Sequence, residues 1–209
     1  IIALVSFYYG NVVSYSYIYS VGIAIFITFL INAACIVMYE QVQENANVEI
    51  YARMAYMDTM TGLGNRTAFL EENKSNAVFP GMISYIMMDA NNLKKINDSL
   101  GHNKGDELII TIAKCMRAAV GQNGQCYRIG GDEFVIILKN KTAEKTEEII
   151  RQVRAEIEFA DEQSDIPISV AMGYVWTHAK EKNLPELIHC AAEKMYKDKK
   201  RIKENTPSA

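Results

Sequence analysis

Apolar residues run uninterrupted by charge from Ile1 to Tyr39, and the first acidic residue is Glu40. At about 1.5 Å per residue, one straight helix of that length would far exceed the ~30 Å hydrocarbon core of a bilayer. The pattern therefore predicts a membrane region over residues 1–39, made of one full transmembrane helix, residues 18–39, preceded by the end of another apolar segment, Ile1 to Tyr9. Gly10 to Tyr17, with Asn11, Ser14, Ser16 and several tyrosines, is expected to connect the two at the membrane surface. A cleaved signal peptide does not fit, because no basic segment precedes the apolar stretch and the stretch is too long. Since the chain starts on Ile1 within an apolar run, an input region ahead of it is expected.

From Glu40 to Met57 there is no Gly or Pro, and Val42, Ala46, Ile50, Met54 and Met57 recur mostly at four-residue steps, so a helical stalk is predicted over residues 40–57. No sustained heptad is present; a stalk that pairs two subunits and a solvated linker helix both fit. Further on, the spacing predicts a short helix from Thr67 to Glu72, a break at Pro80-Gly81 and a strand from Met82 to about Met88. Helices are expected over Asn91 to Leu100, Lys104 to Val120 and Thr142 to Phe159. A buried strand follows from Ile168 to Val175, and Pro185 opens a last helix that reaches Lys199 or beyond.

Two of these segments carry candidate chemistry. In Tyr127-Arg128-Ile129-Gly130-Gly131-Asp132-Glu133-Phe134-Val135-Ile136-Ile137-Leu138, two glycines and two acids separate two apolar runs, which predicts a β-hairpin with the acids at its tip. The glycines are expected to supply the positive φ of a tight connection. In the second segment, Asp89 stands where the apolar strand Ile83 to Met88 stops. Asp89, Asp132 and Glu133 together would offer the hard oxygen ligands that Mg²⁺ prefers when a phosphate completes its shell.

These segments, with Asp58-Thr59-Met60-Thr61-Gly62-Leu63-Gly64-Asn65-Arg66, resemble the GGDEF family of diguanylate cyclases over roughly residues 58–205. The resemblance implies an α/β fold of the α+β kind, with a central, mostly antiparallel sheet flanked by helices, related to the polymerase palm and to nucleotidyl cyclases. It implies condensation of two GTP into cyclic di-GMP and two pyrophosphates at a homodimer interface, with two Mg²⁺ per active site and Mn²⁺ as a substitute. The metal set carried over is Asp89, the Ala90 carbonyl, Asp132 and Glu133, of which Asp132 and Glu133 are also the catalytic pair. Substrate would be held by the amides of Asn92 and Leu93 with Lys94 on the β- and γ-phosphates, by Asn97 and Asp106 on guanine, and by Lys199 and Lys203 on phosphate. Lys199 and Lys203 are four apart, hence on one helix face.

The chain departs from the family in places. Asn91 stands where many relatives carry Asp, and Asn92 and Leu93 stand where they carry aromatic residues or His. Lys203 replaces an Arg and gives up its two-pronged phosphate grip. Gly121-Gln122-Asn123-Gly124 occupies the place of the Arg-x-x-Asp motif of relatives under product feedback, so no tight feedback is expected there.

Composition narrows the alternatives. Within 209 residues there is no room for a second enzyme domain, and a net charge of −3 gives no basis for nucleic-acid binding. Cys35, Cys115, Cys126 and Cys190 lack metal-ligand spacing and are expected to be reduced. With no charge inside the apolar stretch, a transport role has no support. The rival to catalysis is an inactive GGDEF-like module that binds GTP or a partner protein. Loop charge does not decide orientation; the need for GTP places the C-terminal part in the cytoplasm, anchored to the membrane by the N-terminal helices.

Overall fold

Each residue of β1 (Met82–Ala90) alternates between the two faces of one sheet, and helices cover both faces, which is why this strand is apolar at nearly every position instead of every second one. The computed structural model describes residues 2–76, 79–178 and 184–205, which fall into two compact units, residues 1–52 and 53–209. In the second unit the sheet also holds β2 (Gly124–Arg128), β3 (Glu133–Lys139) and β4 (Val170–His178), in the order β2-β3-β1-β4 with every pair antiparallel.

One face packs Ile86, Met88, Phe134, Ile136 and Leu138 against Leu108, Ile112 and Met116 of α4 (His102–Val120) and Ile149 and Val153 of α5 (Ala143–Glu162). The other packs Ile83, Tyr85, Met87, Val135 and Ile137 on Leu187, Ala191 and Met195 of α6 (Leu184–Asn205) and on Phe69 of α2 (Arg66–Asn76). Burial of each such aliphatic side chain contributes about 1.5–3 kcal/mol before entropy is counted. The polar exception, Ser84, is fully buried and hydrogen-bonds Thr146 Oγ1 at 2.8 Å; Thr146 in turn donates to the Thr142 carbonyl at 2.9 Å. A polar pair satisfied in this way costs the core little.

The fold agrees with the central antiparallel sheet and flanking helices expected above; the strand expected over Ile168 to Val175 runs from Val170 to His178, the helix expected over Thr67 to Glu72 runs from Arg66 to Asn76, and four further readings change. β1 runs two residues further than its hydrophobic run, to Ala90, so Asp89 lies within the strand and pairs with Glu133 of β3 and Ala171 of β4. The helix expected from Asn91 starts later, as α3 (Leu93–Leu100), because Asn92 takes a left-handed conformation (φ 62°) that Asn tolerates better than most residues. Gly130 and Gly131 do not take the positive φ expected of them. A Cβ on Gly130 would stand 2.8 Å from Glu133 Oε2, a crowding that the flexible end of the Glu133 side chain can relieve.

The fourth change concerns the N-terminal region. α1 (Ile2–Tyr56) is one uninterrupted helix, so Gly10 to Tyr17 is helical and does not form the expected connection; Ile1 lies outside the described residues. Gly10 is a weak helix former, but one glycine costs a helix only about 1 kcal/mol and no proline accompanies it. Within α1, Tyr19–Asn45 is long and apolar enough to cross a membrane, with a mean hydropathy of 2.5 and none of it buried.

Candidate active site

At the end of β1, strand register gathers the acids. Asp89 pairs with Glu133 across the β1–β3 ladder, and the Ala90 N–H donates to the Asp132 carbonyl at 2.9 Å, so the hairpin tip is stitched to the strand end by backbone alone. On the other side the Asn91 N–H donates to the Ser169 carbonyl and the Asn91 side-chain amide to Ser169 Oγ, both at 2.9 Å. The Asn91 side chain is thereby held as a strut between β1 and the residue before β4.

A cleft of about 570 Å³ opens beside this strand end, lined by Ala90, Asn92, Leu93, Lys94, Asp132, Lys199 and Lys203 among others. Seven of the residues singled out in the sequence therefore share one concavity. Asp89 reaches it through a contact: Lys199 Nζ lies 2.5 Å from Asp89 Oδ1, and the Asp89 side chain is only 7 % exposed. Asn97 and Asp106 stand apart from the cleft lining. Asn97 is on α3 and folds against the start of α4, where a Cβ on Gly105 would collide with its Oδ1. That Oδ1 is buried and has no hydrogen-bond partner among the described residues, while Asp106, in the first two turns of α4, is exposed.

No three His, Cys, Asp or Glu side chains among the described residues converge into a metal-binding group. The donor chemistry nevertheless suits a hard divalent ion: Asp89 and Asp132 carboxylates and the Ala90 carbonyl belong to one strand end and its stitched loop. Asp89 already holds a cation, the Lys199 ammonium. The residues present therefore fit Mg²⁺.

Sequence reasoning passed over the groups that position the site. Arg128 donates to the Gly131 carbonyl from Nη2 at 2.8 Å and from Nε at 3.2 Å, and its Nη1 lies 3.3 Å from both carboxylate oxygens of Asp58. Asp58 also accepts from the Thr61 N–H at 2.9 Å and the Thr61 hydroxyl at 2.6 Å. Burial alone would raise the Asp58 pKa, yet the Thr61 donors and the Arg128 charge outweigh it and hold the carboxyl below its ordinary range. The Asp58 to Arg66 motif thus ties to the hairpin tip.

The second group lies on α6. Asp198 accepts from the Met172 N–H at 3.0 Å and from Arg154 at 3.1 Å through one oxygen, and from Arg201 at 2.7 Å through the other. Burial again pushes its pKa up, and these three donors more than reverse that. Gly173 completes the seat, since a Cβ there would run into the backbone of Ala191 and Met195. Asp198 and Gly173 together fix α6 on β4 and deliver the next residue, Lys199, to Asp89. The run of basic residues around it, Lys197, Lys199, Lys200 and Arg201, concealed this acid.

At the place of the absent feedback motif, Gly121 has φ +50°, and a Cβ on Gly124 would stand 2.5 Å from the Ile137 carbonyl oxygen. An aspartate at 124 would therefore not fit without movement of β3.

The family described as "Diguanylate cyclase, GGDEF domain" matches residues 55–205. Diguanylate cyclase DgcP of Escherichia coli K12 is 32% identical over 179 residues, covering 81% of this chain and 51% of that protein. Cyclic di-GMP phosphodiesterase PdeB of Shewanella oneidensis is 28% identical over 156 residues, 73% of this chain and 18% of that protein. The chain thus spans from about a fifth to about half of the length of these relatives. Among solved structures, the coiled coil and GGDEF domain of DgcB from Caulobacter crescentus in complex with c-di-GMP superposes with a TM-score of 0.73 at 21% identity, covering 82% of this chain and 95% of that one. The family match over residues 55–205 takes in most of the chain, and the chain belongs to the GGDEF domain family of diguanylate cyclases.

Proposed function

We propose that this protein condenses two molecules of GTP into cyclic di-GMP, with release of two pyrophosphates, as a membrane-anchored homodimer in which each half-site presents one nucleotide to the other. The observation that carries this reading is the shared cleft: the acid-bearing hairpin tip, the start of α3 and the basic face of α6 open onto one space of nucleotide size.

In each half-reaction the 3′-oxygen of one GTP forms a bond to the α-phosphorus of the other, the bond to pyrophosphate breaks, and the hydroxyl proton leaves to the Asp132–Glu133 carboxylates. Asp89, the Ala90 carbonyl, Asp132 and Glu133 would hold Mg²⁺ or Mn²⁺, two per site, which when bound supply charge neutralisation at the phosphates and acidify the attacking hydroxyl. The amides at the start of α3 and the Lys94 ammonium face the triphosphate, where the helix N-terminus favours an anion. Lys199 and Lys203, one turn apart, grip it from the opposite wall. Asn97 Oδ1, buried and unpartnered, suits an N–H donor such as guanine N1 or N2, and Asp106 supplies a second acceptor one helix away.

The apolar Tyr19–Asn45 segment supports anchoring in a membrane, with the GGDEF domain on the cytoplasmic side where GTP is found. α1 continues through the predicted stalk to Tyr56 and offers a helical route for a membrane or sensory input.

The test is incubation of the full chain, in detergent micelles, with GTP and Mg²⁺, followed by chromatography for cyclic di-GMP and pyrophosphate, with Glu133→Ala as control. Product from the wild type and none from the variant is expected. No product from a demonstrably dimeric sample would favour a GTP-binding or protein-interaction module instead.

A further inference from the structure

We propose that Lys199 is the resident counter-ion of Asp89 and must leave it before Asp89 can accept a divalent cation, so that metal and nucleotide enter this site as a coupled pair. The inference rests on Asp89 being a metal carboxylate. A carboxylate buried to this degree needs a compensating charge, and Lys199, 2.5 Å away, is the cation placed on it. The placement is enforced. Asp198 and Gly173 lock α6 onto β4 at Met172 and Gly173, next to Ala171, the register partner of Asp89. Lys199 is therefore delivered to the strand end by the helix that carries it.

The same ammonium lines the cleft with Lys94 and Lys203, which gives it a second place to go. A triphosphate in the cleft draws Lys199 toward its oxygens and frees Asp89 oxygens for a metal. With the cleft empty, Lys199 and a divalent ion compete for one carboxylate, and the apparent metal affinity is the intrinsic affinity multiplied by the fraction of molecules in which Lys199 is displaced. Free metal is thus held weakly until nucleotide arrives.

The test uses Mn²⁺ alone, titrated into the nucleotide-free full chain in detergent micelles and followed by the loss of the electron paramagnetic resonance signal of free Mn²⁺. Lys199→Met and Lys199→Gln are each expected to tighten Mn²⁺ binding about tenfold. Lys199→Arg keeps the charge and should stay within about twofold of wild type, as should Lys203→Met, which removes the same charge from the same cleft one turn away. Adding Asp89→Asn to Lys199→Met should abolish the gain. If both Lys199 variants bind no more tightly than wild type while Asp89→Asn still weakens binding, the counter-ion role is overturned and the metal site stands. Equal tightening by Lys203→Met reduces the effect to general charge and overturns it as well. If Asp89→Asn changes Mn²⁺ binding in no background, both this role and the metal assignment fall.

Discussion

The two walls of the cleft are held in place by different physics. On the sheet wall, Ala90 and Asp132 line the cleft, with Asp89 and Glu133 beside them outside its lining, and all four are set by a backbone ladder: strand register pairs Asp89 with Glu133, and the Ala90 N–H holds the Asp132 carbonyl. On the helix wall, Lys199 and Lys203 ride on α6, which is seated by side-chain and steric features, chiefly Asp198 and Gly173. A ladder tolerates changes of side chain because its bonds belong to the main chain. A helix seat can be lost through one residue. The sheet wall should therefore lose chemistry without losing structure when its acids are replaced, and the helix wall should lose both together.

The largest effect expected is on the sheet wall. Glu133→Ala should lower cyclic di-GMP formation by on the order of 10³-fold while the thermal unfolding of the domain stays nearly unchanged, since the role proposed for its carboxylate is in the reaction and the strand is held by main-chain bonds. Parallel chromatography and circular dichroism melts check this; a melt shifted as much as activity would erase the contrast between the walls.

On the helix wall, Gly173→Ala sets a methyl group against the backbone of α6. A cost of about 3 kcal/mol in denaturant unfolding is expected, because main chain cannot rotate away as a side chain can. Activity should fall with it as Lys199 is displaced.

Asp198→Ala should cost about 2 kcal/mol, less than a fully buried pair because Arg154 and Arg201 are partly solvated. Acid is a gentler version of the same test. The native Asp198 pKa lies below its ordinary value of 3.8, so its contribution is complete above that value and is lost as pH falls through the lower native one. Stability of the wild type should drop more steeply below about pH 4 than that of Asp198→Asn.

Arg128→Gln releases the hairpin tip from Asp58 and the Gly131 carbonyl. The ladder still holds the tip from its other side, so a loss of about 1 kcal/mol and roughly tenfold in turnover is expected, measured by denaturant titration and steady-state rates. The smallest effect is a null: with Gly121 and Gly124 in place of the feedback motif, added cyclic di-GMP should not inhibit strongly. Strong noncompetitive inhibition unaltered by Gly121→Arg would contradict this.

The acids of the sheet wall were legible in sequence because strand and hairpin patterns are local: an apolar run reaching Asp89 and a Gly-Gly-Asp-Glu tip mark a strand and a turn, though neither the exact strand end nor the φ of the glycines. Asp198 was not legible, since one acid among lysines in an amphipathic helix reads as a solvated face until its partners are known. Those partners, Met172 and Arg154, lie 26 and 44 residues away. The Gly10 to Tyr17 reading failed for a related reason: glycine and polar residues signal a turn only where something favours one over the next helical hydrogen bond.

Periodicity and motif spacing by themselves determined most of the strands and helices, the acidic strand end and hairpin, and the apolar helix ahead of them, because these depend on near neighbours and on alternation between two faces; their assembly into one antiparallel sheet with covering helices was implied by the family resemblance. Only the tertiary structure decided that Lys199, 110 residues from Asp89, rests on it, that Arg128 ties the Asp58 motif to the glycine tip, and that Gly173 makes room for α6. Such contacts depend on how elements pack at ångström scale, and side-chain reach across a packed interface leaves no period in a sequence.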